Sequence, residues 1–439
     1  MFFPGQTKAL TIDLADARTF TKVNGSHSIG DNFLGVALGG GNLTFHQKKY
    51  YIPLMRLQPS SERLESITGD YRAIYNPSTN SWDFRELDKE IELMDFGNKT
   101  IIANVFYTPK FLSSCPESKY YPYCAPIDYV KWNWYVKNIV EHVYNKYKIK
   151  YWEIGNEPSG HFFFRSSMDS FFDYYVQTAS VIKSVNPDVL VGGVADNPFF
   201  LQTYSSFFKK IHGSGNKKLL DFISFHWYGQ WGHKDDAFNP KAIIRLSSSL
   251  KEQLNTFGFG DLPMYLTEWN LLAVPENFIS ESQVNSFFVA SQYFLHWSNI
   301  DRALFFRAEP YSNMKSSLIN SSGSITTTGQ IFSLLKKIYS SNNYKLVSKE
   351  NVYVFWSEEN KDFLIAYYDE KNMAGQKNKS INVKFPVALG IRNKCEYYSI
   401  ANGFDSASGN VDKIPCDAQG YIGDIIMHNF DVIHISYFQ

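Results

Sequence analysis

Two short stretches place a carboxylate where an apolar run breaks off. In "KYWEIGNEPSG" (150–160) Glu157 follows Asn156 and precedes Pro158, and in "MYLTEWN" (264–270) Glu268 stands between Thr267 and Trp269. Two carboxyl groups facing one another across a sugar-sized gap are the minimum equipment for cleaving a glycosidic bond: one protonates the leaving oxygen, the other attacks or activates water. The two duties differ in charge. A neighbouring arginine keeps one group ionised, whereas desolvation and the like charge of the partner keep the other protonated. A lone glutamate at a strand end more often caps a helix or joins a surface ion pair, so the chemistry requires that both reach one place.

The elements that would bring them together are legible as eight apolar runs: "FLGVALGG" (33–40), "LMRLQPS" (54–60), "TIIANVFYTP" (100–109), "KYWEIGNEP" (150–158), "DVLVGGVADN" (188–197), "DFISFHWYG" (221–229), "MYLTEWN" (264–270) and "ALFFRAEP" (303–310). Amphipathic stretches such as "FRELDKEIELMDFG" and "YVKWNWYVKNIVEHVYNKY" lie between them, with apolar residues three and four apart. Near-continuous apolar strands alternating with helices imply a parallel sheet covered on both faces, and eight such units predict a closed (β/α)8 TIM barrel. An open doubly wound sheet is the rival, but "GGGN" (39–42) is too short for a dinucleotide loop. After "TGQIFSLLKKIYSS" the pattern turns to alternating apolar and polar residues divided by turn-rich segments, which reads as an antiparallel β-sandwich. The expected division is an N-terminal segment over 1–30, whose "ALTIDLAD" (9–16) is placed to add a strand to the sandwich, a barrel over 31–338, and the sandwich over 339–439.

In a parallel barrel the C-terminal strand ends converge on one mouth. The runs deliver Arg56 from the second strand, Asn156 and Glu157 from the fourth, His226 and Tyr228 from the sixth, Glu268 from the seventh, and Arg307 and Glu309 from the eighth. Arg56 is the natural candidate to hold a carboxylate ionised. Glu309 is a third carboxylate, read as a partner of Arg307 or a hydroxyl ligand. Glu153 shares strand parity with Glu157 and would need a cation or hydrogen bonds deeper in the barrel. Trp227 and Trp269 are candidate stacking platforms or packing between helix and strand.

Composition narrows the remaining classes. Lys plus Arg and Asp plus Glu are each 43, so the net charge is zero and no basic field exists to attract nucleic acid or anionic lipid. No apolar run has the length of a membrane helix, and "MFFPGQTKAL" lacks a signal-peptide pattern. Aromatic residues make up 17%, enough to line a cleft as well as a core. Four cysteines favour the local pairs Cys115 with Cys124 and Cys395 with Cys416, and with sequons at Asn24, Asn42, Asn98, Asn320 and Asn378 they lean toward an oxidising, extracellular or cell-surface setting. Neither pair has zinc spacing, and "HGSGNKK" and "GHKDD" read as solvated loops, so no metal or cofactor is expected.

These residues carry a family resemblance. "WEIGNEP" (152–158) resembles the Asn-Glu-Pro signature on the fourth strand of glycoside hydrolase clan A, and "LTEWN" (266–270) resembles that clan's seventh-strand nucleophile segment. "DFISFHWYG" before it and the trailing β-sandwich are most similar to family 39, which includes β-xylosidases, α-L-iduronidases and exopolysaccharide endoglycosidases. The resemblance implies a retaining double displacement on a β-linked oligo- or polysaccharide, with Glu157 as acid/base and Glu268 as nucleophile. It implies that Asn156 contacts the hydroxyl beside the reacting carbon, that Tyr228 hydrogen-bonds or leans on Glu268, that Arg56 holds it ionised, and that His226 lines the cleft. The sequence departs from the family at Gln58, where many members carry a histidine soon after the second-strand arginine. The alternative reading is a carbohydrate-binding or surface structural glycoprotein without turnover; the intact carboxylate pair argues against it. The insert "KFLSSCPESKYYPYCAPIDY" (110–129) lies on the active face and is expected to shape the subsites.

Overall fold

A computed structural model describes residues 9–22, 28–39, 48–94, 99–160, 162–232, 236–273, 279–310, 316–373, 378–384, 395–399, 412–414 and 421–437. The strands β1 (Leu10–Asp13) and β2 (Arg18–Thr21) precede the barrel. Helix α1 (Ile29–Asn32) leads into β3 (Gly35–Ala37), helix α2 (Lys48–Leu57) into β4 (Ser61–Leu64), and a short hairpin of β5 (Tyr75–Asn76) and β6 (Ser81–Trp82) into α3 (Arg85–Met94) and β7 (Thr100–Val105). The remaining units are α4 (Tyr129–Tyr147), β8 (Tyr151–Ile154), α5 (Met168–Val185), β9 (Leu190–Asp196), α6 (Leu201–Gly213), β10 (Phe222–Tyr228), α7 (Ala242–Thr256), β11 (Met264–Asn270), α8 (Glu281–Leu295), β12 (Arg302–Phe306) and α9 (Thr327–Tyr339). Eight of these strands, β3, β4, β7, β8, β9, β10, β11 and β12, close into a parallel barrel in that order.

The helices form for the reason their spacing suggests. In α4 the buried residues Trp132, Tyr135, Val136, Ile139, Val140 and Val143 recur at three and four and make one stripe, and Asp128 caps its start by accepting from the Val130 and Lys131 amides. Each large apolar side chain buried this way contributes about 1.5–3 kcal/mol.

Inside the barrel, Ala37, Ile102, Phe222, Tyr265 and Leu304 form an apolar plug. A buried polar layer of Arg63, Glu153, Ser224 and Thr267 comes one inward position further along β4, β8, β10 and β11, as two-residue strand parity requires.

The second strand is a correction. "LMRLQPS" is not a barrel strand: Leu54 to Leu57 end α2, and the strand is the following "SERL". Pro53 lies inside α2, an interior residue that normally argues against a helix, so the pattern read as a strand instead.

The C-terminal strands are β13 (Asn343–Lys349), β14 (Val352–Ser357), β15 (Asp362–Tyr367), β16 (Asn378–Lys384), β17 (Cys395–Ser399), β18 (Asp412–Ile414), β19 (Tyr421–His428) and β20 (Val432–Tyr437). They build a seven-stranded antiparallel sheet in the order β18-β17-β20-β15-β14-β13-β2 and a three-stranded sheet β1-β16-β19, in which β1 runs parallel to β16. Leu10, Ile12, Ile381, Val383 and Met427 of the small sheet pack on Val352, Val354, Trp356, Phe363 and Ile435 of the large one. The opposite face of the large sheet, with Tyr344, Tyr353, Phe355 and Leu364, joins the core that surrounds the barrel. Alternation along β14 therefore serves two interfaces at once.

Candidate active site

The loop after β8 is held in an unusual backbone. Gly155 has φ +95° and Glu157 φ +41°, and the Glu157 amide donates to the Ala195 carbonyl at 2.8 Å. A left-handed conformation costs a residue with a side chain about 1–2 kcal/mol, and persists where surrounding contacts over-determine it. The turn lifts Glu157 to the mouth with its side chain 24% exposed. Across from it, pairing on either side of β11 slips, with shifts between Phe225 and His226 on β10 and between Leu266 and Trp269 of β11. Strict alternation from Tyr265 would turn Trp269 inward and Glu268 outward. The irregularity reverses that and aims Glu268 into the barrel.

The same irregularity corrects the reading of Trp269 as a substrate platform. Its ring is fully buried outside the barrel, stacked on Phe288 at 5.4 Å and edge-on to Phe305, and Trp227 is likewise buried against Phe287. A ring exposed at the mouth is Trp231, which sequence reasoning passed over. It is 41% exposed, lies 5.7 Å from the Tyr228 ring, and is fixed by its amide donating to the Tyr228 carbonyl at 3.0 Å.

Arg56 is the second correction. It sits exposed in the last turn of α2, away from the strand ends, because the helix continues through it. The cation at the site is Arg63 on β4, fully buried. Its Nη1 donates to Glu268 Oε1 at 2.6 Å, its Nη2 to Asn156 Oδ1 at 2.8 Å, and its Nε to Glu153 Oε2 at 2.5 Å. The departure inferred at Gln58 moves with it: the second residue beyond the strand arginine is Glu65, which is also buried. Asn104 on β7, likewise unforeseen, donates to Glu153 Oε2 at 2.9 Å and to the Gly155 carbonyl at 2.8 Å.

Around the two glutamates the geometry is tight. Tyr228 OH donates to Glu268 Oε2 at 2.6 Å, His226 Nδ1 lies 2.9 Å from Glu157 Oε1 and 3.6 Å from Glu268 Oε2, and Glu157, His226 and Glu268 each bring an atom within 4.8 Å of the others'. Burial pushes the Glu268 carboxyl above its ordinary value and Glu157 adds to that, while His226 and Arg63 pull it down. Burial works to lower His226, but Glu268 and Glu157 beside it win and raise it. Burial also works to raise Glu153, yet Arg63, with His226, holds it below the usual carboxylate range. Burial and the neighbouring Glu268 keep the Tyr228 phenol a protonated donor.

Arg307 and Glu309, just beyond the end of β12, form a buried ion pair, and the Gly39 amide donates to Glu309 Oε1 at 2.9 Å. Burial lifts the Glu309 carboxyl to about 7 against the pull of Arg307.

Among the described residues, Glu157, His226 and Glu268 are the one group whose spacing could ligate a metal. The donor set fits poorly: both Glu268 oxygens accept hydrogen bonds, one from a guanidinium whose charge would repel a cation. The Cys115–Cys124 disulfide is present in the insert after β7, with Cα atoms 6.1 Å apart. Cys416, and the sequons at Asn24, Asn42 and Asn98, lie outside the described residues. Among the described residues no helix is long and apolar enough to cross a membrane.

A closed (β/α)8 barrel with glutamates at the ends of its fourth and seventh strands is the arrangement of glycoside hydrolase clan A. The chain belongs to glycosyl hydrolases family 39, whose family model matches residues 61–304, more than half of its length. A β-xylosidase of Geobacillus stearothermophilus is 24% identical over 314 residues, 63% of this chain and 58% of the relative. A second, of Caldicellulosiruptor saccharolyticus, is 27% identical over 207 residues, 43% of this chain and 41% of the relative. The chain thus spans about half the length of these curated relatives. A monomeric β-xylosidase from Caulobacter crescentus shares the fold with a TM-score of 0.75 at 16% identity, over 98% of this chain and 99% of that one. A glucosidase from Croceicoccus marinus does so at 0.71 and 15%, over 99% and 100%.

Proposed function

We propose that the protein is a retaining glycosidase acting on β-linked glycosides of an oligo- or polysaccharide. One observation carries this reading: a carboxylate oxygen of Glu157 and one of Glu268 lie within 4.8 Å of each other. Retaining enzymes hold the pair about 5–5.5 Å apart, and inverting ones about 6.5–9.5 Å, to admit a water between them. In the first step Glu268 attacks the anomeric carbon, the glycosidic C–O bond breaks, and Glu157 gives its proton to the leaving oxygen. In the second, water attacks the same carbon, Glu157 takes its proton, and Glu268 leaves as a carboxylate. Arg63 and Tyr228 hold Glu268 in place by donating to its two oxygens, and Arg63 orients the Asn156 amide by donating to its oxygen, which leaves the NH2 to meet the sugar.

Trp231 supplies a half-open aromatic face for a sugar ring. The relatives named β-xylosidase make aryl β-xylosides the first substrates to try. The disulfide in the insert supports an extracellular or cell-surface setting.

The test is hydrolysis of a panel of aryl β-glycosides and polysaccharides by the parent protein, Glu157→Gln and Glu268→Gln, with the first-formed anomer read by NMR. Retention in the parent and a loss of about a thousandfold or more in Glu268→Gln are expected. An inverted first product, or full activity in Glu268→Gln, would overturn the assignment.

A further inference from the structure

The strand beside the acid carries a carboxylate that the two-step scheme does not use. Asp196 ends β9 and is 1% exposed. Its Oδ1 accepts from the Ser159 hydroxyl at 2.9 Å and from the Asn197 amide at 2.8 Å, and its Oδ2 accepts from the Ser159 amide at 3.1 Å. The Asp196 backbone is anchored from the other side by α6. Its amide donates to the Tyr204 hydroxyl at 3.0 Å, and that hydroxyl points its proton toward the Asp196 carbonyl at 2.7 Å, with the Ser224 carbonyl at 3.1 Å.

The loop after β8 is therefore fastened to β9 at two points on either side of Pro158. The Glu157 amide meets the Ala195 carbonyl, and two residues on, both the amide and the hydroxyl of Ser159 meet Asp196. Glu157 and Ala195 are both left-handed, at φ +41° and +56°, and neither is a glycine. A backbone of that kind relaxes unless something holds it. A carboxylate in a buried site accepting three hydrogen bonds is a stiff hold, because releasing Ser159 would leave a buried charge with fewer donors.

We propose that Asp196 is a positioning residue for the acid/base: its grip on Ser159 keeps Glu157 in the left-handed turn and so aims the Glu157 carboxyl at the leaving oxygen. This rests on Glu157 being the acid/base. Proton delivery depends on placement at the scale of an ångström, so loosening the grip weakens acid assistance and leaves nucleophilic attack by Glu268, which is fixed from β4 and β10, in place.

The experiment compares kcat/KM, which reports the first step, on a phenyl glycoside that needs protonation of its leaving group and a dinitrophenyl glycoside that does not. It is run on the parent, Glu157→Gln, Asp196→Asn, Ser159→Ala and Ser159→Thr. In Asp196→Asn the phenyl to dinitrophenyl ratio is expected to fall about tenfold or more; in Ser159→Ala it falls in the same sense, and Ser159→Thr, which keeps both donors, retains the parent ratio. Equal losses on both substrates, or no loss, in Asp196→Asn and Ser159→Ala would overturn the positioning role. If Asp196→Asn does not fold, Ser159→Ala decides alone. Should Glu157→Gln itself fail to change the ratio, the acid assignment falls and this role with it; should Glu157→Gln change it while the Asp196 and Ser159 variants do not, only the positioning role falls.

Discussion

Arg63 has each of its three guanidinium nitrogens committed within the site, to Glu153, Glu268 and Asn156. Its removal therefore has two effects that separate by substitution. Arg63→Met strands Glu153 in a dry barrel and is expected to lower stability by about 3–5 kcal/mol, read by denaturant unfolding. Arg63→Lys keeps a charge but not the fork, so it is expected to fold and to lose about a hundredfold in kcat/KM. Arg56→Ala, on the exposed end of α2, is expected to change neither; an effect as large as that of Arg63 would return the role to the helix. Tyr228→Phe removes a donor that favours the ionised form of Glu268. In the proposed double displacement Glu268 attacks in its ionised form, and burial already holds that carboxyl high, so the rate is expected to climb with pH on its acid limb. The variant should move that limb to higher pH with kcat down about tenfold; a limb that stays put would show that Tyr228 does not act on Glu268.

At the scale of elements, seven of the eight barrel strands are visible as apolar runs, and the remaining one, the second, is displaced by a helix that contains a proline. "SERL" carries no strand signal because its inward residues are Ser61 and Arg63, so neither a continuous apolar run nor an alternation with an apolar face marks it. Glu157 was legible from its local pattern, since Gly155 before it and Pro158 after it announce a turn. The inward turn of Glu268 is not legible in the same way: the slip in β11 pairing is a tertiary feature that no residue type signals, which is why the sequence leaves Trp269 open between a sugar platform and packing. The insert after β7 offers a prediction at this scale. Its disulfide fastens the segment that brings Tyr123 against Phe106, Tyr107 and Phe163, and the Tyr123 carbonyl accepts from the Arg165 amide in the loop beyond Glu157. Closing so short a loop contributes about 2–3 kcal/mol locally. The Cys115→Ser, Cys124→Ser double variant is expected to raise KM for oligosaccharides several-fold while barely altering kcat on a small aryl glycoside. Identical KM values in parent and variant would mean that the insert does not wall the cleft.

Across the whole molecule, the large sheet and the barrel are joined by a hydrogen-bonded relay as well as by apolar packing. His296 at the end of α8 contacts the Gln292 carbonyl through Nδ1 at 2.8 Å and the Tyr344 hydroxyl through Nε2 at 2.9 Å, and that hydroxyl accepts from the Gly30 amide at 3.0 Å. The chain is self-consistent with a neutral ring protonated on Nδ1: Nδ1–H donates to the carbonyl and Nε2 accepts from the tyrosine. Phe20 on β2 and Phe33 after α1 pack edge-on to the same ring, so one side chain gathers the N-terminal strand, the barrel and the sheet. Burial depresses His296 to about 3. A group depressed in the folded state contributes stability that is present above its unfolded value, near 6.5, and is lost as pH falls toward the folded one. By about pH 4.5 the loss amounts to about 2–3 kcal/mol, since each unit of displacement is worth about 1.4 kcal/mol. His296→Phe leaves the rings packed and removes the titration. Its unfolding free energy, lower than the parent's at neutral pH because the Tyr344 hydroxyl proton loses its acceptor, is expected to fall less steeply on acidification, so the two curves converge. Parallel curves from neutral pH to about pH 4.5 would show that the junction does not titrate through His296.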